Sequence, residues 1–231
     1  AADIVFTSGA TEAAALALGG QNIHCSEIEH EAVSANCSVD QTVGRNGTVA
    51  VHTAEQSTLQ LANSETGIIQ ALPDGLYASD MTQAFGKIPG SFDWSGVQMA
   101  LVSAHKLGGP KGIGALVLKK GTDITAQLKG GGQEMGRRSG TENIIGIAGF
   151  GAAAEAAMRD LDAGVWGQVE KLRNILEKAI AQSSNKTIFA GNAANRLPNT
   201  TCMITPGWKG ETQVMQMDLA GLAVSAGSAC S

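Results

Sequence analysis

The stretch MALVSAHKLGGPKGIGALVL, residues 99–118, joins two apolar runs through a polar, glycine-rich segment. The two runs, residues 99–103 and 114–118, have the length and composition of buried strands. Lys106 follows the first run almost directly, and glycines follow Lys106. The pattern predicts that a strand ends at the edge of a buried sheet and places Lys106 there, where glycines allow close approach of the backbone to a ligand.

The rest of the chain repeats this alternation of short apolar runs and helical segments. Further strands are predicted at residues 4–6, 23–25, 59–62 and 76–79, and helices at residues 10–18, 29–38 and 144–181, the last broken near 164–167. Strands that alternate with helices are typical of an α/β protein in which helices cover both faces of a mainly parallel sheet. In such sheets, ligands bind beyond the carboxyl ends of the strands.

The last fifty residues have a different pattern and predict a small α+β lobe at the C-terminal side. Short strands are expected at residues 188–189, 201–204 and 222–224, with a helix at 211–219. The predicted organisation is therefore a large domain over residues 1–150, a linking helix over 151–181 and a small lobe over 182–231 that carries the loop of Cys230.

Composition narrows the class of protein. The chain has 231 residues, of which 43% are hydrophobic, and its formal net charge is −5. This excludes a disordered chain and, without a Lys/Arg cluster, gives no electrostatic reason to expect nucleic acid or a membrane surface as partner. The cysteines are scattered and are expected to be free thiols in a reducing compartment; with no signal peptide or membrane span apparent, a cytoplasmic location is expected. They are Cys25, Cys37, Cys202 and Cys230.

Lys106 is the first candidate for chemistry. A lysine held away from bulk water is a better nucleophile, because burial disfavours its charged form, and it can form a Schiff base with an aldehyde cofactor. Ser103 and His105 beside it offer hydrogen bonds to a phosphate. On these residues alone, a surface lysine in a glycine-rich loop is an equally good interpretation.

Two other segments have both a functional and a structural interpretation. Asp80 follows a predicted strand, where its carboxylate could keep a pyridine nitrogen protonated; taken alone, a helix N-cap is the better interpretation of an aspartate there. The sequence SGATE at residues 8–12 places N–H groups and a hydroxyl at a helix N-terminus, which suits an anion. It also fits an ordinary capping box.

Seven motifs in order resemble those of one family, the cysteine desulfurases of the NifS/IscS type, which are pyridoxal-phosphate enzymes of aminotransferase class V. The resemblance extends from Val5 to Cys230 and implies the large domain of the type I fold of pyridoxal-phosphate transferases. The motifs are SGATE (8–12), EH (29–30), NxExG (63–67), DxxQ (80–83), SxHKxxGPKGxG (103–114), RSGT (138–141) and SAC (228–230).

The resemblance implies a role for each matched residue. Lys106 would hold pyridoxal phosphate covalently, His30 would stack on the ring and assist proton transfer, and Cys230 would be the nucleophile. Asp80 would pair with the pyridine nitrogen, and Gln83 with the phenolic oxygen. The remaining residues would bind the phosphate (Ala10, Thr11, Ser103 and His105), the phosphate of a neighbouring subunit in a homodimer (Thr141), the cofactor and substrate (Asn63) and the substrate alone (Arg138).

The implied reaction converts L-cysteine to L-alanine and leaves a persulfide on Cys230 for a sulfur-acceptor protein, such as an iron–sulfur scaffold or a carrier. No metal ligand set is expected. Compared with the family pattern, the interval between His30 and Asn63 is short, and the C-terminal arginine that clamps the substrate carboxylate has no counterpart. Two alternatives stay open: a selenocysteine lyase-type enzyme, or a non-catalytic protein that binds the cofactor or a sulfur carrier.

Overall fold

The computed structural model describes residues 2–184 and 186–227. Eight strands and five α-helices follow one another along this part of the chain, with short 3₁₀ turns between some of them. In chain order they are β1 (Ala2–Thr7), α1 (Ala10–Leu18), β2 (His24–Ser26), α2 (Glu31–Ser34), β3 (Ser38–Gln41), β4 (Ala78–Asp80), β5 (Met99–Ser103), β6 (Gly114–Lys119), α3 (Ile144–Asp162), α4 (Val165–Ser183), β7 (Ile188–Ala190), β8 (Cys202–Ile204) and α5 (Gly210–Leu219).

A four-stranded sheet in the order β1-β6-β5-β4 forms the centre of the molecule. The α/β class is confirmed, but the sheet is mixed: β6 runs antiparallel to both β1 and β5, whereas β4 and β5 are parallel. Three of the four strands therefore share one direction. The reversal of β6 follows from its short connection to β5, residues 104–113, because parallel strands need a crossover of about a dozen residues or more.

The sheet is covered on both faces, as the apolar pattern of its central strand requires. Every residue of β5 is buried. Met99 and Leu101 face a core cluster that contains the apolar side of α1, while Ala100 and Val102 face a second cluster that includes Phe150 of α3. A strand buried on both faces reads as a continuous apolar run, which explains why residues 99–103 were recognisable in the sequence.

Three predicted elements differ from the structure. Residues 59–62 are not a strand, and only Ala62 among them forms an isolated bridge. The Gln60 N–H donates to the Glu29 side chain instead, and the Leu59 carbonyl accepts the Ser79 hydroxyl. The helix predicted at 29–38 is only α2, since the Asn36 amide donates to the Ala32 carbonyl and ends it. Residues 222–224 are not a strand and are exposed, with no pairing strand in the described part of the chain.

The long C-terminal helical region is broken, as predicted, close to Gly164. α3 and α4 each span 19 residues, and Gly164 adopts a left-handed conformation between them (φ 67°). β7 and β8 pair antiparallel beyond α4. Within the described residues, the helices are nowhere both long and apolar enough to cross a lipid bilayer.

The start of α1 is packed directly against the start of β6. A Cβ atom added at Gly114 would lie 2.7 Å from the Cα and carbonyl carbon of Gly9 and from the carbonyl oxygen of Val102. All three are backbone atoms, so no side chain can move aside to make room. The absence of a side chain at Gly114 is therefore what lets the N-terminus of α1 reach the end of β5.

We expect Gly114→Ala to destabilise the fold by about 1–3 kcal/mol, the usual cost of overpacking a close contact. Urea denaturation measures this. Gly151→Ala is the matched control: Gly151 lies inside α3, nothing approaches its added Cβ within 4 Å, and alanine should stabilise the helix by about 0.5–1 kcal/mol. A Gly114→Ala protein as stable as the wild type would contradict the proposed contact.

Candidate active site

A cavity of about 590 Å³ opens at the sheet edge where β4 and β5 end and α1 begins. Most of the predicted cofactor-binding residues line it together, although they come from separate parts of the sequence. They are Ala10, Thr11, His30, Asp80, Gln83, Ser103, His105 and Lys106. Sequence reasoning missed other lining residues, among them Gln60, Thr82 and Lys111.

The N-terminus of α1 forms one wall of this cavity. The Glu12 carboxylate accepts the Ser8 N–H at 2.7 Å and is also bonded by Arg138, whose Nε lies 2.7 Å from Glu12 Oε1. Burial alone would raise the pKa of Glu12, but the hydrogen bonds from Arg138 and Ser8 outweigh it and lower the pKa. The first-turn N–H groups of a helix lack intrahelical partners and attract anions, and Ser8, Gly9, Ala10 and Thr11 all line the cavity.

Ser103 and His105 form the adjoining wall. Ser103 is the last residue of β5 and is buried, and its hydroxyl lies 2.8 Å from Nδ1 of His105. The two side chains are thereby held in one arrangement next to the start of α1. Hydroxyl and imidazole groups beside a helix N-terminus make a good site for a phosphate.

Lys106 and Asp80 both line the cavity, and the charge of each influences the pKa of the other. Burial lowers the pKa of Lys106, while the charge of Asp80 acts in the opposite direction. Burial likewise raises the pKa of Asp80, against the Thr82 hydrogen bonds and the charges of His30 and Lys106. Asp80 Oδ1 accepts the Thr82 N–H at 2.8 Å, but the alternative interpretation as a helix N-cap is wrong, because residues 82–87 form turns rather than a helix.

His30 lines the cavity and is the N-cap of α2. Its Nδ1 accepts the Ala32 N–H at 3.1 Å. The acceptor role of Nδ1 requires that the proton of the neutral ring be on Nε2. His30 therefore caps α2 and also lines the cavity, while its stacking on the cofactor ring stays a prediction.

Glu29 is a buried carboxyl group that the sequence reasoning gave no role of its own. Its side chain is 8% exposed; Oε1 accepts the Gln60 N–H at 2.7 Å, and Oε2 is buried without a partner among the described residues. Burial, with a smaller contribution from the charge of Asp80, raises the pKa of Glu29 to about 8. Burial therefore favours the protonated form of Glu29, which contacts the cavity-lining residue Gln60.

Three of the predicted site residues that the structure describes do not line this cavity. The Asn63 amide is used locally: Oδ1 accepts the Thr66 N–H at 2.8 Å and Nδ2 donates to the Ile28 carbonyl at 3.0 Å. Arg138 is bonded to Glu12, as described above, and Thr141 is exposed on the surface. Cys230 lies outside the described residues. The roles assigned to these four residues stay predictions.

A larger cavity, of about 1090 Å³, lies on the sheet face covered by α3 and is lined mainly by apolar side chains such as Phe6, Val102 and Phe150. None of the predicted site residues that the structure describes lines it. Size alone would favour this cavity, but the smaller one brings Lys106, Asp80 and the N-terminus of α1 together. The chemistry of the side chains therefore identifies the smaller cavity as the candidate active site.

We expect Glu29→Gln to change how stability depends on pH. The carboxyl group ionises near its ordinary pKa of 4.5 when unfolded and near 8 when folded, so the wild type loses stability as pH rises from about 4.5 to 8. Because glutamine does not ionise, the free energy of unfolding of Glu29→Gln should rise by about 1 kcal/mol or more relative to that of the wild type over this interval. Above this pH interval, the difference between the two proteins should be constant. Urea denaturation at several pH values measures this.

Glu27→Gln provides the matched control, since Glu27 is an exposed carboxylate two residues away. Its stability curve should run parallel to that of the wild type. If the Glu29→Gln curve is also parallel, then Glu29 is not a buried, protonated acid.

Comparisons with known proteins agree with this site. The family described as aminotransferase class-V matches residues 20–231. A cysteine desulfurase of Cereibacter sphaeroides is 36% identical over 266 aligned positions, which cover 99% of this chain and 67% of that protein, and the cysteine desulfurase IscS of Dictyoglomus turgidum is 33% identical with the same coverage. The chain thus spans about two thirds of the length of these relatives.

A solved structure shows the same fold. The X-ray structure of a NifS-like protein from Rickettsia africae ESF-5 superposes with a TM-score of 0.88 at 30% identity and covers 98% of this chain and 70% of that one. The family match extends over most of the chain, and the relatives named above share a third of their aligned residues with it. The chain therefore belongs to the class-V aminotransferase family and, within it, to the pyridoxal-phosphate-dependent cysteine desulfurases.

Proposed function

We propose that this chain converts L-cysteine to L-alanine with Lys106 as its catalytic amine and Cys230 as its sulfur carrier. The observation that supports this most directly is the meeting of Lys106, Asp80 and the N-terminus of α1 in one cavity. A partly buried amine, a carboxylate and an anion site are the three features that a phosphorylated pyridine aldehyde needs.

The residues of the cavity fit that cofactor. The first turn of α1, with Ser103 and His105, would hold its phosphate, and Asp80 would hold its ring nitrogen. The buried hydroxyl of Thr82 lines the cavity and has no hydrogen-bond partner among the described residues. A buried hydroxyl of this kind calls for a partner from a ligand. Pyridoxal phosphate, when bound, supplies an aldehyde and a conjugated ring that accepts electron density from the substrate Cα.

Lys106 is suited to move a proton at the substrate Cα. Burial lowers its pKa, so a larger share of the amine is neutral and able to accept a proton at physiological pH. Asp80 lies close enough to affect the charge of Lys106. The negative charge of Asp80 stabilises the protonated lysine once the proton has been transferred.

Cys230 would take the sulfur. Its thiolate attacks the sulfur of the substrate, an S–S bond forms, the C–S bond breaks, and the substrate carbon gains a proton to give alanine. Each sulfur is oxidised by one electron and the substrate carbon is reduced by two, so no outside oxidant is needed. The persulfide is then available to a sulfur-acceptor protein.

The same proposal includes a homodimer. Thr141 is exposed and lies outside the cavity of its own chain, and the neighbouring Ile144 and Ile145 are 73% and 83% exposed. Adjacent exposed apolar side chains are typical of an interaction surface. Contact between two copies through this surface would let Thr141 reach the phosphate in the partner's cavity.

The test is sulfur transfer to Cys230. After incubation of the cofactor-loaded protein with L-cysteine, mass spectrometry should find one additional sulfur atom on the Cys230 peptide, and alanine in solution. Cys230→Ala should form neither the persulfide nor alanine at more than about one hundredth of the wild-type rate, because the nucleophile is gone. If it retains activity on selenocysteine, the selenocysteine lyase interpretation gains support.

Cys37 provides the control. Cys37 is partly buried, and a hydrogen bond from Cys25 lowers the pKa of its thiol. The same hydrogen bond, together with burial, raises the pKa of Cys25. Burial also raises the pKa of Cys202. Cys37 is thus the described cysteine best able to compete for sulfur. Cys37→Ala should transfer sulfur like the wild type. Additional sulfur on Cys37, or alanine production by Cys230→Ala at the wild-type rate, would contradict the assignment.

A further inference from the structure

Lys87 is a buried lysine with no role in the function proposed above. Lys87 is only 6% exposed. Burial lowers its pKa to about 8, with a smaller contribution from the nearby charge of Lys106. Among residues 2–184 and 186–227, no carboxylate forms an ion pair with it. A buried ammonium group is costly, so its position next to the active site needs an explanation.

Both hydrogen bonds of Lys87 go to Gln83. Nζ donates to the Gln83 carbonyl at 2.8 Å and to the Gln83 side-chain oxygen Oε1 at 3.3 Å. Gln83 lines the active-site cavity, whereas Lys87 lines the larger apolar cavity on the other side. The glutamine thus stands between the lysine and the active site.

The chemistry of the two groups decides which end of the amide faces the lysine. An ammonium group has three donors and no acceptor, so it can bond Oε1 but not the NH₂ group of Gln83. The amide could otherwise rotate by 180° and present either end. With Oε1 occupied, Nε2 keeps both of its protons for whatever lies in the cavity.

We propose that Lys87 is a positioning residue, which fixes the Gln83 amide so that its N–H groups face the cofactor and bind an oxygen acceptor on the ring. This inference rests on the function proposed above. Lys87 does not line the active-site cavity and acts only through Gln83. The arrangement selects a ligand that carries an anionic or carbonyl oxygen at this edge of the cavity and disfavours one that carries a donor.

A double-mutant cycle tests this. Lys87→Met removes the ammonium group but keeps the apolar stem, and Gln83→Ala removes the amide. Affinity for pyridoxal phosphate is measured by equilibrium dialysis, and the visible absorption maximum of the bound cofactor is recorded. Lys87→Met should weaken binding of pyridoxal phosphate about tenfold, the effect expected when one hydrogen bond from Gln83 is no longer held in place. It should also shift the absorption maximum in the same direction as Gln83→Ala.

In the Gln83→Ala background, Lys87→Met should change the affinity by less than about twofold, because the residue through which it acts is absent. Lys87→Arg, which keeps the cationic donor, should restore most of the affinity. Lys120→Met is the charge-matched control: Lys120 is exposed beyond the far end of β6 and should leave both affinity and spectrum unchanged. Thermal melting of each variant by circular dichroism monitors folding, and Lys87→Leu repeats the cycle if Lys87→Met does not fold.

An equal effect of Lys87→Met with and without Gln83, or no effect at all, would overturn the proposal. This failure is distinguishable from failure of the proposed function. If the wild type itself does not bind pyridoxal phosphate, the function is wrong; if the wild type binds it and the cycle is additive, only the role of Lys87 is wrong.

Discussion

The active site depends on one close approach of backbone to backbone, between Gly9 at the start of α1 and Gly114 at the start of β6. Because β1 and β5 run in the same direction, α1 begins at the sheet edge where β5 ends. Because β6 is reversed, it begins at that edge as well. Three elements therefore meet at one point, and the missing side chain at Gly114 allows the N–H groups of α1 to lie beside Ser103 and Lys106. An anion site and an amine come together as a result.

Burial shifts the pKa values of the ionisable groups in and around the active site. It is the largest influence on the pKa of each, raising it for the carboxyl groups of Asp80 and Glu29 and lowering it for the amines of Lys106 and Lys87. Every one of them is thereby shifted toward its neutral form. The lowered pKa of Lys106 favours its neutral amine, the form that can accept a proton from the substrate Cα.

The sequence predicted best where one local signal determined the outcome. The continuous apolar run of β5, the loop of Lys106 after it and the break at Gly164 were all recognisable without neighbours. The direction of β6 and the loss of a regular strand at residues 59–62 depend on tertiary contacts, the latter on the Glu29 and Ser79 side chains taking backbone groups. No local pattern encodes such contacts.

The same division holds for the site. Lys106, Asp80, Ser103 and His105 could be proposed because they lie at or just beyond the end of a predicted strand, whereas Glu29, Thr82 and Lys87 became apparent only through their burial. For Asn63 the motif implies a contact with the cofactor, and this role stays a prediction; in the structure its amide oxygen accepts the Thr66 N–H. Motifs identify residue types at a site, while hydrogen-bond partners decide which atoms are available there.

The most direct test of the account is to find which lysine carries the cofactor. The protein is loaded with pyridoxal phosphate, reduced with borohydride and digested, and the labelled peptide is identified by mass spectrometry. The account predicts that the label is on Lys106 alone, since Lys106 is the amine whose charge is coupled to Asp80. A label on Lys111, which also lines the cavity, or on Lys87, or no covalent attachment at all, would contradict it.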